Sequence, residues 1–76
     1  MKNRVRELRL AHGLTQQELG RKVGVSRQTI NAVENGRFDP SVHLAFRLAR
    51  VFQLPIEEVF LFDVDPDPQE GTQQGP

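Results

Sequence analysis

Three polar side chains that lie close together in the sequence, Arg27, Gln28 and Asn31, have the chemistry that recognises the edges of DNA bases. A guanidinium group can donate two hydrogen bonds to O6 and N7 of guanine, and a side-chain amide can pair with N6 and N7 of adenine. On a helix, Asn31 shares a face with both other residues, because it follows them by four and three positions. This spacing predicts a surface for the DNA major groove, provided that a helix presents it.

Two short helices joined by a glycine turn are predicted around these residues. Thr15 and Glu18 have the spacing of a capping box, which starts the first helix. Leu19 and Val23 lie four positions apart and therefore share its apolar face. Gly24 stands where this helix must end and the chain must turn sharply.

The second helix of the pair has its own start, end and buried side. Ser26 can cap its first turn through the side-chain hydroxyl. Ile30 and Val33 mark the side that faces the core. Asn35 and Gly36, which tolerate left-handed backbone angles, end it. The pair forms a helix-turn-helix, so the sequence predicts sequence-specific DNA binding.

The composition indicates one small domain. The chain has 76 residues and no cysteine, so disulfides and thiolate zinc sites are excluded. No apolar run approaches the roughly 20 residues of a membrane span, and the first residues lack the apolar stretch of a secretory signal. We therefore expect a cytoplasmic protein without a membrane partner. A domain of this size buries only about 60% of its unfolded surface, so association between copies is the available source of further stability.

The net charge of zero hides two halves of opposite sign. Residues 1–50 contain all ten lysines and arginines and four acidic residues, a net charge of +6. Residues 51–76 contain six acidic residues and no basic one, a net charge of −6. A basic body suits the phosphates of DNA. Charge alone leaves open a solvated surface with a solubilising acidic tail, and the helix-turn-helix pattern decides in favour of DNA.

The apolar pattern predicts helices over most of the chain. Ser41 precedes an apolar 3.6-residue period, and Pro55 precedes a last short helix. Asn3 is a candidate cap for the first helix, and Phe38 is expected to fill the core beneath a loop. The predicted fold class is all-α, with five helices at about residues 3–12, 16–23, 27–35, 42–52 and 56–61 and a candidate extended segment at 60–64.

The C-terminal residues differ in composition from everything before them. Alternating Asp and Pro residues are followed by Gly and Gln, without large apolar side chains that could bury enough surface to order the segment. We therefore assign residues 1–64 to a helix-turn-helix domain and expect residues 65–76 to be a disordered acidic tail.

Several motifs in their order and spacing resemble the lambda-repressor-like, Cro/C1-type family, also called the xenobiotic-response-element family. The resemblance covers about residues 3–62 and is closest to compact single-domain repressors without a separate ligand-binding domain. It implies a five-helix DNA-binding domain in which the second and third helices form the helix-turn-helix. The motifs are Leu14-Thr15-Gln16-Gln17-Glu18-Leu19, Val23-Gly24-Val25-Ser26-Arg27-Gln28-Thr29-Ile30, Glu34-Asn35-Gly36-Arg37 and Pro40-Ser41.

The resemblance also implies roles for individual residues. Gln16 would bond a DNA phosphate and brace the recognition helix, at a helix N-terminus that itself favours anions. Arg9 and Glu34 would form an internal salt bridge between the first and third helices, with unpaired surface charges as the alternative. The other implied DNA contacts are those of Arg27, Gln28 and Asn31 with bases and those of Thr29, Asn35 and Arg37 with the backbone.

Two residues depart from the family pattern. Gly20 stands where most relatives have alanine; glycine permits a close approach of the second and third helices but lowers helix stability by about 0.5–1 kcal/mol relative to alanine. Gln53 stands where glycine often follows the fourth helix. Neither residue lies on the predicted DNA-binding face, so we expect both departures to affect stability rather than function.

A homodimer contact is predicted near the end of the domain. Phe60, Phe62 and Val64 alternate with other residues at the period of a half-buried strand. Phe60 could instead pack in the core of the monomer. The resemblance favours the dimer, because compact relatives often dimerise through their C-terminal elements. A two-fold dimer would place two recognition helices about 34 Å apart on an inverted-repeat operator.

No pattern for catalysis or metal binding is present. His12 and His43 lie on different predicted helices and outside any ligand motif. Glu57 and Glu58 are adjacent, so on a helix they point about 100° apart and cannot converge on one atom. We therefore expect no enzyme, no metal and no cofactor.

The predicted function is a sequence-specific transcriptional regulator, acting as a repressor on double-stranded DNA as a homodimer and without a small-molecule ligand. Two alternatives remain open. One is a protein-interaction module, such as an antitoxin or a coactivator-like adaptor. The other is a ligand-responsive repressor with a pocket among Phe46, Phe52 and Phe60, for which a place in the core is the simpler interpretation.

Overall fold

The computed structural model describes residues 2–61, which form five helices and one two-stranded sheet. This confirms the predicted all-α class and its five helices. Residues 62–76, and with them the predicted tail at 65–76 and its boundary, lie outside the described part of the chain. The elements are β1 (Lys2–Asn3), α1 (Val5–Ala11), α2 (Gln16–Val23), α3 (Arg27–Glu34), α4 (Val42–Phe52), α5 (Ile56–Val59) and β2 (Phe60–Leu61).

The start of α2 contains the predicted capping box. The N–H of Glu18 donates to the Thr15 hydroxyl at 3.0 Å, and the N–H of Thr15 donates to the Glu18 carboxylate at 2.9 Å. The hydrogen bond from the Thr15 backbone holds the pKa of Glu18 below its ordinary value. Gly24 ends the helix in a left-handed conformation with φ 79°. The first helix of the pair is therefore bounded by its own sequence.

Serine residues start the next two long helices. The N–H of Thr29 donates to the Ser26 hydroxyl at 3.1 Å, and the N–H of Leu44 donates to the Ser41 hydroxyl at the same distance. At the end of α4, Gln53 takes a left-handed conformation with φ 58°, which glycine adopts without strain. This geometry explains why glycine suits that position, since a side chain there costs about 1–2 kcal/mol.

The core lies between the helices and is closed by the sheet. The eleven-residue α4 contributes the largest share of it, on the face that the 3.6-residue period predicted. Partly buried side chains such as Leu14 and Leu54 pack against its edge. The buried apolar residues are Val5, Leu8, Leu19, Val23, Ile30, Val33, Leu44, Ala45, Leu48, Ala49, Phe52, Val59 and Phe60.

The first and last helices are shorter than predicted, because the residues beside them form β1 and β2, which pair with each other. Asn3 lies in β1 opposite Phe60, in an antiparallel pair with β2. Its side-chain oxygen accepts from the N–H of Val5 at 3.0 Å, and its amide nitrogen donates to the carbonyl of Val33 at 2.8 Å. The Asn3 side chain therefore binds the first residue of α1, although Arg4 occupies the N-cap position. It also contacts α3.

The predicted place of Phe38 in the core is wrong. The N–H groups of Arg37 and Phe38 both donate to the carbonyl of Ala32, at 2.9 and 3.2 Å, and so fold the loop back on the end of α3. This leaves Phe38 46% exposed. The proposed aromatic pocket does not form either, because Phe46 is 54% exposed while Phe52 and Phe60 are core residues. None of the helices described is long and apolar enough to cross a membrane.

Candidate nucleic-acid interface

Helix α3 has one buried face and one exposed polar face. Ile30 and Val33 are fully buried in the core. Arg27, Gln28 and Asn31 are all exposed. The structure therefore brings the three predicted base-contacting side chains together on one surface, on a helix whose other side fixes its position.

Helix α2 approaches the turn before α3 unusually closely, and Gly20 makes this possible. The N–H of Val25 donates to the carbonyl of Gly20 at 2.9 Å. A Cβ atom at Gly20 would lie only 2.6 Å from the backbone oxygen of Val25. The departure from alanine therefore has a packing role here: it sets how close the two helices of the motif lie.

A buried ion pair joins α1 to the end of α3. Arg9 Nε donates to Glu34 Oε2 at 2.6 Å, and Arg9 Nη2 donates to Oε1 at 3.3 Å. The two side chains are only 10% and 3% exposed. Arg9 Nη1 also donates to the carbonyl of Leu14 at 2.9 Å. One guanidinium group therefore fixes the recognition helix and the segment that leads into α2, the structural role that the resemblance implied.

Gln16 belongs to the same cluster. Its amide nitrogen donates to Glu34 Oε1 at 3.0 Å. A side-chain amide has two N–H groups, so one remains free to donate to a phosphate. The sequence did not reveal this contact, because Gln16 and Glu34 are 18 positions apart and no local period relates them.

Hydrogen bonds also restrain the polar side chains at both ends of α3. The hydroxyls of Ser26 and Thr29 lie 3.1 Å apart, and Thr29 is half-buried. At the other end, the Asn35 amide nitrogen donates to the side-chain oxygen of Asn31 at 3.1 Å. Because that oxygen has two lone pairs, Asn31 can still pair with adenine in both directions. Arg37 follows the helix and is exposed.

Helix α4 supports the motif through Arg47, a residue that the sequence analysis did not single out. Its Nη1 donates to the carbonyl of Val23, the last residue of α2, at 3.3 Å. A cation at this position complements the negative end of the helix dipole. No periodic pattern connects Arg47 to Val23, which lies 24 positions before it.

An open groove runs from the loop after α1 along the start of α2 to α3. Thr15, Gln16 and Gln17 line it on one side, and Arg27 lies at the start of the recognition helix. The first N–H groups of α2 and α3 are partly positive, and the Arg27 guanidinium adds a full positive charge. This arrangement can hold a phosphate group of a nucleic-acid backbone.

Of the three residues predicted to form the dimer contact, only Phe60 lies in the described part of the chain. Phe60 lies in the core of the single chain at 1% exposure, so its side chain offers no surface to a partner, and that assignment needs correction. Its packing follows from the pairing of β2 with β1. Phe62 and Val64 are outside the described residues.

Within residues 2–61, no group of three or more His, Cys, Asp and Glu side chains could hold a metal ion. His12 packs on an aromatic ring instead, with its ring centroid 5.3 Å from that of Phe52. His43 lies exposed on α4.

An exposed polar helix held against a second helix across a glycine turn defines a helix-turn-helix DNA-binding domain. The chain belongs to the helix-turn-helix family, whose model matches residues 5–59, and its resemblance to the Cro/C1 type is confirmed. It is a DNA-binding transcriptional regulator and not an enzyme.

Relatives of similar length occur in archaea and bacteria. The chain is 49% identical over 65 residues to an HTH-type transcriptional regulator of Methanocaldococcus jannaschii, covering 86% of this chain and 98% of that one. It is 51% identical over 63 residues to another from Archaeoglobus fulgidus, covering 83% and 90%.

Solved structures show the same arrangement. The P22 c2 repressor in complex with a synthetic operator superposes with a TM-score of 0.74 at 27% identity, covering 79% of this chain and 91% of that one. The restriction-modification controller protein C.AhdI from Aeromonas hydrophila gives a TM-score of 0.69 at 35% identity, covering 75% and 86%.

Proposed function

We propose that this protein is a transcriptional repressor that binds an inverted-repeat operator as a homodimer, with α3 of each copy in the major groove. The observation that carries the proposal is the exposed row Arg27, Gln28 and Asn31 on a helix that the core and the Arg9–Glu34 pair hold in place. The likeness to a repressor solved with its operator supports it. We expect a protein with this function in the cytoplasm.

The roles divide between base and phosphate contacts. Arg27 pairs with guanine, and Gln28 or Asn31 with adenine, each good bidentate contact adding about 1–3 kcal/mol of discrimination. Phosphate contacts fix the position of the helix without reading sequence. They come from the free N–H of Gln16, from Thr29 and from Asn35 and Arg37 beyond the helix.

Dimerisation follows from how few bases one helix can contact. A single half-site cannot distinguish one operator from millions of competing sites, and a two-fold dimer doubles the base contacts. Leu61 on β2 is 43% exposed, and Phe62 and Val64 follow it in the sequence. We place the dimer contact at this end of the chain, with the exposed Leu61 in the contact instead of the buried Phe60.

A protein-interaction adaptor is the second candidate, and the outer face of the α4 region favours it. Val42 and Phe46 lie one helical turn apart and are both exposed, and Phe38 is exposed in the preceding loop. Exposed apolar side chains in one region are typical of protein-binding surfaces. An adaptor would use this surface and would not require the polar row on α3.

Selection of bound sequences from a random DNA pool tests the proposal, combined with the mass of the bound complex. We expect an enriched inverted repeat bound by two copies. The same selection with Phe46→Ser provides a control, because this change alters the α4 surface and leaves α3 intact. Binding without any enriched sequence would contradict the repressor and favour the adaptor.

A further inference from the structure

We propose that residues 62–76 act as an internal competitor for DNA: the acidic segment binds the DNA-contacting face of its own domain and weakens its attraction for unrelated DNA. The inference rests on the proposed function, because it takes the surface at the starts of α2 and α3 as the DNA-binding face. It adds a regulatory contact that the helix-turn-helix itself does not require.

The charges divide at the end of β2. Residues 2–61 contain ten basic and six acidic residues, a net charge of +4. Residues 62–76 contain no basic residue and four acidic ones, a net charge of −4. The net charge of the segment is therefore equal in size and opposite in sign to that of the domain. Its acidic residues are Asp63, Asp65, Asp67 and Glu70.

Within residues 2–61, the ion pairs use the guanidinium groups of Arg4 and Arg9. Arg4 pairs with Glu7 at 3.2 Å and with Glu58 at 3.7 Å, and the buried Arg9–Glu34 pair neutralises itself. Arg27 and Arg37 take part in none of the ion pairs between residues 2 and 61. Like other exposed basic side chains outside these pairs, both guanidinium groups are available to an anion from outside the domain.

The same face has further hydrogen-bond donors beside Arg27. The groove beside Arg27 contains the start of α2, where the Thr15 hydroxyl caps the N–H of Glu18 and the N–H groups of Gln16 and Gln17 have no partner within the helix. Gln16 keeps one N–H group that its bond to Glu34 does not use. Carboxylates satisfy such donors as phosphates do, with charge-assisted hydrogen bonds. A row of aspartates thus offers this face the chemistry of a DNA strand.

The spacing of the acidic residues suits such a row. Asp63, Asp65 and Asp67 occupy alternate positions, and Pro66 and Pro68 follow the last two. Four carboxylates within eight residues can engage several donors at once.

The segment is long enough to reach this face. Its fifteen residues span up to about 50 Å when extended, since each residue advances at most about 3.3–3.6 Å. A compact domain of this size has a radius of gyration of only about 10 Å. Because the segment is tethered, its effective concentration at the domain is in the millimolar range, so a weak contact is sufficient.

Competition of this kind acts unequally on different DNA sequences. Binding to unrelated DNA depends almost entirely on phosphate contacts, which the carboxylates replace. Binding to the operator gains additional energy from bases, which the carboxylates cannot imitate. The acidic segment therefore reduces binding to unrelated DNA, while the operator can still displace it.

The first test compares the natural protein with the variant D63N/D65N/D67N/E70Q on a DNA duplex without the selected sequence. We expect the variant to bind several-fold more tightly at 50 mM salt, and the difference to disappear near 0.5 M salt, where charges are screened within about 5 Å. Asp65→Asn alone should give a partial gain. Glu57→Gln, which removes one exposed carboxylate from α5, is the matched control and should change binding less. Equal affinities of the natural protein and the fourfold variant would overturn the proposal.

The second test needs no DNA. Backbone amide NMR shifts of the natural protein and the fourfold variant should differ at residues 15–17 and 27–37 at low salt, and agree at high salt. Differences confined to another surface would overturn the proposal, as would differences that grow with protein concentration, which indicate a segment from another copy. These shifts judge the internal contact, whereas sequence selection judges the repressor, so the failure of one is distinguishable from the failure of the other.

Discussion

At the scale of single residues, one carboxylate holds the DNA-binding surface together. Glu34 accepts hydrogen bonds from Arg9 and from Gln16, so α1, the start of α2 and the end of α3 meet at one side chain. Buried pairs of this kind add little when complete, but removing one partner leaves the other charge without compensation. The pair therefore determines the position of α3 more than it adds to net stability.

We expect Glu34→Ala to lower the free energy of unfolding by about 3–5 kcal/mol, because the Arg9 guanidinium stays buried without its partner. Glu7→Ala is the matched control: it removes an exposed carboxylate that pairs with Arg4 and should cost less than about 1 kcal/mol. Urea unfolding of both variants measures the difference. Equal losses would show that burial of the Arg9–Glu34 pair has no energetic consequence.

At the scale of elements, the contact of α2 with the turn determines the geometry of the motif. We expect Gly20→Ala to destabilise the domain by about 1–3 kcal/mol, since its Cβ would lie 2.6 Å from the Val25 oxygen and the turn must move. Operator affinity should fall by more than the lost stability explains. Gly13→Ala strains the backbone at φ 69° but meets no atom within 4 Å, so it should lower stability without moving α2 against the turn. A stabilised Gly20→Ala protein would contradict this account.

The end of α4 is a second element where sequence and geometry disagree. Gln53 has the left-handed conformation that glycine adopts without penalty. We expect Gln53→Gly to raise the free energy of unfolding by about 0.5–1 kcal/mol, part of the strain being offset by the greater freedom of glycine in the unfolded chain. Arg6→Gly, in the exposed part of α1, should instead lower it by about 1 kcal/mol. Thermal or urea unfolding measures both changes. A lower free energy of unfolding for Gln53→Gly as well as for Arg6→Gly would show that the backbone at Gln53 is not strained.

Sequence predicts those elements whose signals are local. The capping box of Thr15 and Glu18 and the serine cap of α3 fix helix starts within three residues, and the structure has both. The short strand at Asn3 was missed because its partner, Phe60, is remote in sequence and two residues have no periodicity. The polar row on α3 follows from helical spacing. Its support by Gln16 arises only from tertiary packing, which no local pattern records.

At the scale of the whole molecule, the proposed dimer would present two copies of α3 to one face of DNA. We expect Leu61→Asp to shift the protein from dimer to monomer in sedimentation experiments, because it places a charge on the exposed end of β2. Affinity for an inverted repeat should fall, and affinity for one half-site should stay. Phe46→Ser changes the exposed face of α4 and should leave the dimer intact. Dissociation by Phe46→Ser alone would place the interface on α4 instead.

In the proposed complex, Arg27 contacts a base and Arg37 contacts the DNA backbone. Repeating the sequence selection with Arg27→Ala and with Arg37→Ala separates these two roles. We predict that Arg27→Ala loses the preference at one position of each half-site, while Arg37→Ala keeps every preference, binds all sequences more weakly and shows a smaller salt dependence. Equal losses without any change in base preference would contradict the account.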